Sequence, residues 1–256
     1  MGVDRVDRRI ERPYRVRFDE AGPDGNLRSS GYLRYAQDLA WVHSEGAGFG
    51  RDWYRERGLT WLIRAIELDI VADVPFGTEL RVSTEVVGFR RVWARRRNEF
   101  RAPGSEAPLA AAITDWVLLN AAGKPTRVPE EIAEAFGEAV ADFTPVRLQL
   151  PEPPSDSSTR ELNVRRSELD PMAHVNNAAY LDYLDEHYLT DRRAIQPLPL
   201  PRRYRAEFVV AAEPGDKMVG SGWQDEIGWC YLLETHERGE LFRARLETDA
   251  AAWVGG

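Results

Sequence analysis

Cysteine is nearly absent from this chain: Cys230 is the only one in 256 residues. An intramolecular disulfide is therefore excluded, cysteine-rich zinc patterns have no ligands, and a reducing cytoplasm is the simplest setting. Long apolar runs are missing too. A membrane helix needs roughly 18 to 20 such residues, and the stretch 109–119 is cut by Asp115. The first 17 residues are charged throughout and have no apolar core, so no signal peptide is read there, and Gly2 lacks the hydroxyl residue at position 6 that myristoylation asks for. Excess basic charge is absent as well. The net charge of -8 argues against nucleic acid as the main partner, because phosphate binding wants a basic face. Within that acidic total, Arg90, Arg91, Arg95, Arg96 and Arg97 form one dense basic group, which reads as a solvated strand face or as a dock for something anionic. There is no Gly-x-Ser-x-Gly elbow. The glycines of 46–50 follow a helical pattern and no Lys accompanies them, so they are not read as a phosphate loop. His43, His187 and His236 form no group with metal spacing, and neither a metal nor a cofactor is called for.

What is present suffices for a packed core. Hydrophobic residues make up 43% and aromatic residues 10% of a length that suits one large domain or two of about 100 to 150 residues. Residues 14–18 alternate like a strand, and 19–26 is a loop punctuated by Gly22, Pro23 and Gly25. Helical spacing follows, with Leu33, Ala36, Leu39, Ala40 and His43 on one face. Strand-like runs are read at 59–71, 79–89, 91–101 and 109–120, and a short amphipathic helix over 129–139 with Pro129 at its first position. Residues 141–160 change character, with a run of prolines and then Ser155, Ser157 and Ser158, as a linker would.

Beyond the linker the first half's order returns: a strand at 162–166, a polar loop, a helix over 176–189, then strands near 203–210, 217–224, 228–237 and 241–249. A shift of 148 lays Pro23 on Pro171 and Tyr32, Leu33 and Tyr35 on Tyr180, Leu181 and Tyr183, while a shift of 138 lays Asp69 on Glu207 and Gly77 on Gly215. We therefore expect two copies of one unit: residues 1–140, a linker at 141–160, and residues 161–256. A helix with so wide an apolar face wants a sheet wrapped round it, and two such sheets side by side shield each other's edges.

The copies differ at the loop ahead of the helix. Asp170 faces Gly22, His174 faces Asn26 and Asn177 faces Ser29 under the 148 shift. A plain helix cap would keep similar residues in both copies. Divergence of this kind suits a unit in which one copy retains a site and the other shapes a pocket.

The stretch 170–181, Asp-Pro-Met-Ala-His-Val-Asn-Asn-Ala-Ala-Tyr-Leu, resembles the signature of hotdog-fold thioesterases, and the two-copy layout resembles the acyl-ACP thioesterases in particular. Supporting segments are 58–64, 116–120, 127–131, and Tyr204-Arg205-Ala206-Glu207, which is similar to a Tyr-Arg-Arg-Glu segment whose Glu is taken as catalytic in that family. The resemblance implies an α+β double hotdog, each unit a long helix wrapped by an antiparallel sheet. It implies hydrolysis of a fatty acyl-ACP or acyl-CoA thioester in lipid metabolism, with no membrane partner and a homodimer compatible with the reading. Two departures stand out: Met172 occupies the place where the family commonly carries Asn, and Phe208 the place where plant members often carry Cys. Asp170-Pro171-Met172-Ala173 is closer to the Asp-Pro-Ala-Gly pattern of hydroxybenzoyl-CoA-type thioesterases, which moves weight to Asp170.

Thioester hydrolysis needs a base or nucleophile, a site for the developing oxyanion and a dry channel. Asp170 can attack directly or deprotonate water. The start of the second helix can receive the oxyanion, since its first N–H groups lack internal partners, and the resemblance implies the N–H of Asn177 as the donor. Glu207 is expected to orient or deprotonate water as a second carboxylate. His174 either hydrogen-bonds the thioester or fixes the loop, Asn176 caps or braces the turn, and Tyr32 and Trp61 are expected to line the acyl pocket. Kept beside this are a hotdog enoyl hydratase, whose Asp-to-His spacing is one longer, and a non-catalytic acyl-thioester-binding module.

Overall fold

Each half of the chain makes a strand, a long helix and four more strands, in that order. The first half runs β1 (Arg9–Arg15), α1 (Ser29–Gly46), α2 (Arg51–Arg57), β2 (Thr60–Ile70), β3 (Glu79–Arg90), β4 (Trp93–Arg101), β5 (Pro108–Leu119) and α3 (Glu130–Ala135). The second runs β6 (Ser158–Asn163), α4 (Asn177–Asp191), β7 (Arg202–Phe208), β8 (Lys217–Gln224), β9 (Trp229–Thr235) and β10 (Gly239–Glu247). The computed structural model describes residues 6–137, 143–192 and 198–248. The last residues of the expected 129–139 helix and 241–249 strand, and the junction at 138–142, lie outside the described residues.

The strands form one ten-stranded sheet in the order β1-β3-β4-β5-β2-β7-β10-β9-β8-β6. Every pairing in it is antiparallel. The two halves meet at β2 and β7, where Glu67 lies opposite Arg205. Ala65 faces Glu207 and Asp69 faces Arg203 on either side of that pair. The 138 shift maps Glu67 onto Arg205 and Asp69 onto Glu207, so the register is symmetric about this central pair. Joining at β2 and β7 also removes two sheet edges from water.

Both long helices lie on one face of the sheet and pack against each other. Their apolar stripes explain the position: Tyr32, Leu33, Ala36 and Leu39 of α1, and Tyr180, Leu181, Leu184 and Tyr188 of α4, are buried in one cluster with Ile66, Leu68, Tyr204, Ala206 and Phe242 of the sheet. Alternation sends Arg203, Arg205 and Glu207 of β7 out of the opposite face. A second cluster, including Phe49, Tyr54, Phe89, Ile132 and Phe136, closes the C-terminal end of α1 with α2 and α3. No described helix is long and apolar enough to cross a membrane.

The expected strands at 14–18 and 162–166 lie earlier, at β1 and β6. The chain leaves the ladder after Arg15: Val16 donates its N–H to Thr78, and Phe18 is 84% exposed. A short 3-10 turn then follows in each copy, Phe18–Glu20 and Arg166–Glu168. Helix α2 lies in a stretch where no helical spacing was read. It is a two-turn element ending on Gly58 in the left-handed region (φ 59°), which glycine adopts without strain.

Candidate active site

The loops that feed α1 and α4 are the same structure, 148 residues apart. Gly22 donates its N–H to Asn26 at 2.8 Å and Gly25 to Gly22 at 2.9 Å; Asp170 donates to His174 at 2.8 Å and Ala173 to Asp170 at 2.9 Å. Arg28 donates to Glu20 as Asn176 does to Glu168, and Leu27 to Val74 as Val175 does to Ala212. Glu20 accepts from the hydroxyl of Tyr35, and Glu168 from that of Tyr183 at 2.6 Å. Ala173 takes up the left-handed conformation (φ 62°) that Gly25 adopts in the first copy (φ 78°).

Within this shared frame Asp170 has a particular task. Its Oδ1 accepts the N–H of Met172 at 2.8 Å and that of His174 at 3.4 Å, which folds the loop back on itself. Its Oδ2 takes no hydrogen bond among the described residues. Asn176 caps α4, accepting the N–H of Ala178 at 3.0 Å, and Ala179 donates to the carbonyl of Asn176 at 2.8 Å. The N–H of Asn177, at the first position of the helix, has no intrahelical partner. The Asn177 side chain reaches across to the Ile63 carbonyl at 3.4 Å.

Asp170, His174 and Asn177 line one cavity of about 370 Å³, together with Val175, Tyr180, Leu62, Ile63, Arg64, Trp93, Val117, Leu119, Gly123, Pro125, Arg147, Phe208, Val209 and Ala211. The gap between two strands creates it. Strand β2 pairs with β5 as far as Thr60, but with β7 only from Ala65 to Ile70. Beyond Ala65 the two halves part at a bulge between Ile63 and Ala65, and Arg64 spans the opening, donating to the Phe208 and Val209 carbonyls at 2.5 and 2.6 Å. Because the ladder stops there, walls come from both faces of the sheet. Leu62, Val117 and Trp93 lie opposite one another on three neighbouring strands and share a face with the Arg95–Asp115 pair.

That face is covered by the segment after 142. Val146 donates its N–H to Asp115 at 2.7 Å, Arg95 donates to the Thr144 carbonyl at 3.0 Å and Arg90 to that of Phe143 at 2.7 Å. Two arginines of the basic group thus hold this strap, while Arg96 is buried and reaches Nδ1 of His43 at 3.1 Å. The strap brings Arg147 to the cavity.

The other expected site residues sit elsewhere. Glu207 is fully buried on the face away from the helices and is not part of the cavity lining. Arg243 donates to its Oε2 at 2.7 Å, and Arg147 lies 3.6 Å from Oε1. Tyr32 is a core residue, edge-on to Phe100. Trp61 packs on the second cluster and donates to the Tyr54 hydroxyl at 3.1 Å. Neither lines the cavity, because each points into an already filled core. Met172 is 44% exposed and also lies outside it, contributing only its backbone N–H. Tyr180, a cavity residue, accepts the N–H of Ala212 at 2.7 Å, and burial pushes its phenol up to about 12.

Long helices packed on one face of a continuous antiparallel sheet are the hotdog arrangement, and solved structures agree in fold. The chain superimposes on an acyl-ACP thioesterase from Bacteroides thetaiotaomicron with a TM-score of 0.77 at 15% identity, covering 94% of this chain and 97% of that one. A 12:0-ACP thioesterase from Umbellularia californica gives 0.74 at 19% identity, covering 93% and 96%. The family models for the acyl-ACP thioesterase N-terminal and C-terminal domains match residues 7–136 and 151–207, and the chain belongs to the acyl-ACP thioesterase family. Among curated relatives it is 25% identical to a chloroplastic acyl-[acyl-carrier-protein] hydrolase of Cuphea viscosissima over 91% of this chain, and it spans 61% of that relative's length.

Proposed function

We propose that this chain is a double-hotdog thioesterase that hydrolyses a fatty acyl-ACP thioester to the free acid and the carrier thiol, in a cytoplasmic setting. The observation that carries the reading is the convergence of Asp170, His174 and the Asn177 end of α4 on one largely apolar cavity. Asp170 keeps one carboxylate oxygen on the loop and presents the other for attack or for deprotonating water. The N–H of Asn177, which has no intrahelical partner, and the dipole of α4 receive the oxyanion. His174 makes no side-chain hydrogen bond among the described residues and is assigned to the thioester carbonyl. Glu207 acts through its neighbours: it fixes Arg243, carries its charge beside the cavity residue Arg147, and is a positioning residue in this scheme. Asn176 braces the turn as the cap of α4.

Release of free thiol from a panel of acyl-ACP and acyl-CoA substrates over chain length tests the proposal. Turnover of acyl-ACP above background is expected. Comparable turnover of acyl-CoA alone would move the assignment to the hydroxybenzoyl-CoA type of enzyme, and binding without hydrolysis of either would leave an acyl-binding module in its place.

A further inference from the structure

Five charged groups meet where the cavity reaches the outer face of the sheet. Glu207 and Glu240 supply two carboxylates, with Glu240 3.3 Å from Arg243. Arg243, Arg147 and Arg64 supply three guanidinium groups. Burial lowers the pKa of Arg64, Glu207 opposes this, and the like charges of Arg147 and Arg243 add to it. Among these five groups the guanidiniums outnumber the carboxylates by one, and the cavity's other carboxylate, Asp170, is engaged by the loop N–H groups of Met172 and His174, an arrangement that favours an incoming anion at this end.

Arg147 is the group placed to take it. It lines the cavity, its side chain is 60% exposed, and it donates no hydrogen bond to any described residue. Its 3.6 Å approach to Oε1 of Glu207 is too long for a hydrogen bond, and that buried oxygen has no hydrogen-bond partner. The backbone beside it is fixed, since Val146 is tied to Asp115. A guanidinium held ready with free donors at the solvent end of a cavity matches a phosphate in geometry and charge. The lining that Arg147 shares with Asp170 also includes Leu62, Trp93, Val117 and Pro125, which suits a neutral chain.

We infer that Arg147 receives the phosphate of a phosphopantetheine thioester, whose neutral arm runs through the gap between β2 and β7 to place the thioester at Asp170. The inference rests on the thioesterase reading above. Acyl-ACP and acyl-CoA share this phosphate, so the contact recognises the arm common to both carriers.

Calorimetric titration of the full chain with S-alkyl phosphopantetheine and S-alkyl pantetheine tests it, because neither thioether can be hydrolysed. The phosphorylated ligand is expected to bind the wild-type chain about fivefold or more tightly, as an exposed but bidentate charged contact allows. That preference is expected to collapse toward one in Arg147→Ala, to recover in part in Arg147→Lys and to weaken with added salt. Equal affinity for the two ligands in the wild type, or an undiminished preference in Arg147→Ala, overturns the inference. An S-alkyl-CoA arm separates the carriers: added affinity from the nucleotide points to CoA and none points to ACP, and both results keep the phosphate contact. A phosphate preference in a chain that hydrolyses no thioester overturns the enzymatic reading alone.

Discussion

Ser29 and Asn177 hold the same place in the two copies, the first residue of α1 and of α4, yet different neighbours claim their side chains. The Ser29 hydroxyl lies 2.6 Å from that of Tyr204, which donates to Asp185 at 2.8 Å, so the mouth of α1 is filled by a closed polar network. Asn177 reaches only the Ile63 carbonyl, at 3.4 Å, and the mouth of α4 opens into the cavity. One helix start is plugged and the other is available.

Replacing Asp170 by Asn keeps the oxygen that accepts the Met172 N–H and removes the base. Thioester turnover is expected to fall by roughly a hundredfold to ten-thousandfold, with the melting temperature nearly unchanged. Steady-state kinetics beside a thermal melt check this, and full activity in the variant would rule out Asp170 as base or nucleophile.

Ala173 holds a left-handed backbone that its first-copy counterpart, Gly25, adopts without a Cβ. The conformation costs a non-glycine residue about 1–2 kcal/mol, and the greater freedom of an unfolded glycine offsets part of that. Ala173→Gly is therefore expected to stabilise the chain by about 0.5–1 kcal/mol in a urea titration. A loss of stability would mean that the loop is not strained at this residue.

Burial pushes the Asp185 carboxyl up to about 7, although hydrogen bonds from Tyr204 and Ser29 and the charge of Arg202 favour its ionised form. A carboxyl whose folded pKa lies above its unfolded value of about 4 binds its proton more tightly in the folded chain. Its stabilising contribution is thus fully present below about pH 4 and is lost as the pH rises to about 7. Asp185→Asn keeps an acceptor for Tyr204 and cannot ionise. We expect it to raise the melting temperature at pH 8 by about 2–4 °C and to change it little at pH 4. An equal effect at both values would show that Asp185 does not titrate in that window.

The sequence carried the local features well. Loop and helix start are built from contacts within a few residues, so the likeness of 22–33 to 170–181 could be read from spacing alone, and it singled out Asp170, His174 and Asn177; the donor role expected of Asn177 came from the family resemblance. What it could not carry was assembled at long range. Arg64 enters the cavity because of a bulge between Ile63 and Ala65, and Arg147 because Asp115 and two arginines pin the strap across the sheet. Neither event leaves a periodic trace. Tyr32 and Trp61 are the converse case, since aromatic character marks a residue as buried without telling a core from a pocket. Glu207 could be placed on a strand, but which face it leaves by depends on the register of β7.

The central Glu67–Arg205 pair, 2.8 Å apart, lies where a twofold axis would pass if the halves were separate identical subunits. In such a dimer every substitution would appear at both helix starts together, and plugging one would plug both. A single continuous chain lifts that constraint: Ser29 with Tyr204 can close one mouth while Asn177 keeps the other open. Tandem joining here gives the molecule the liberty to be lopsided.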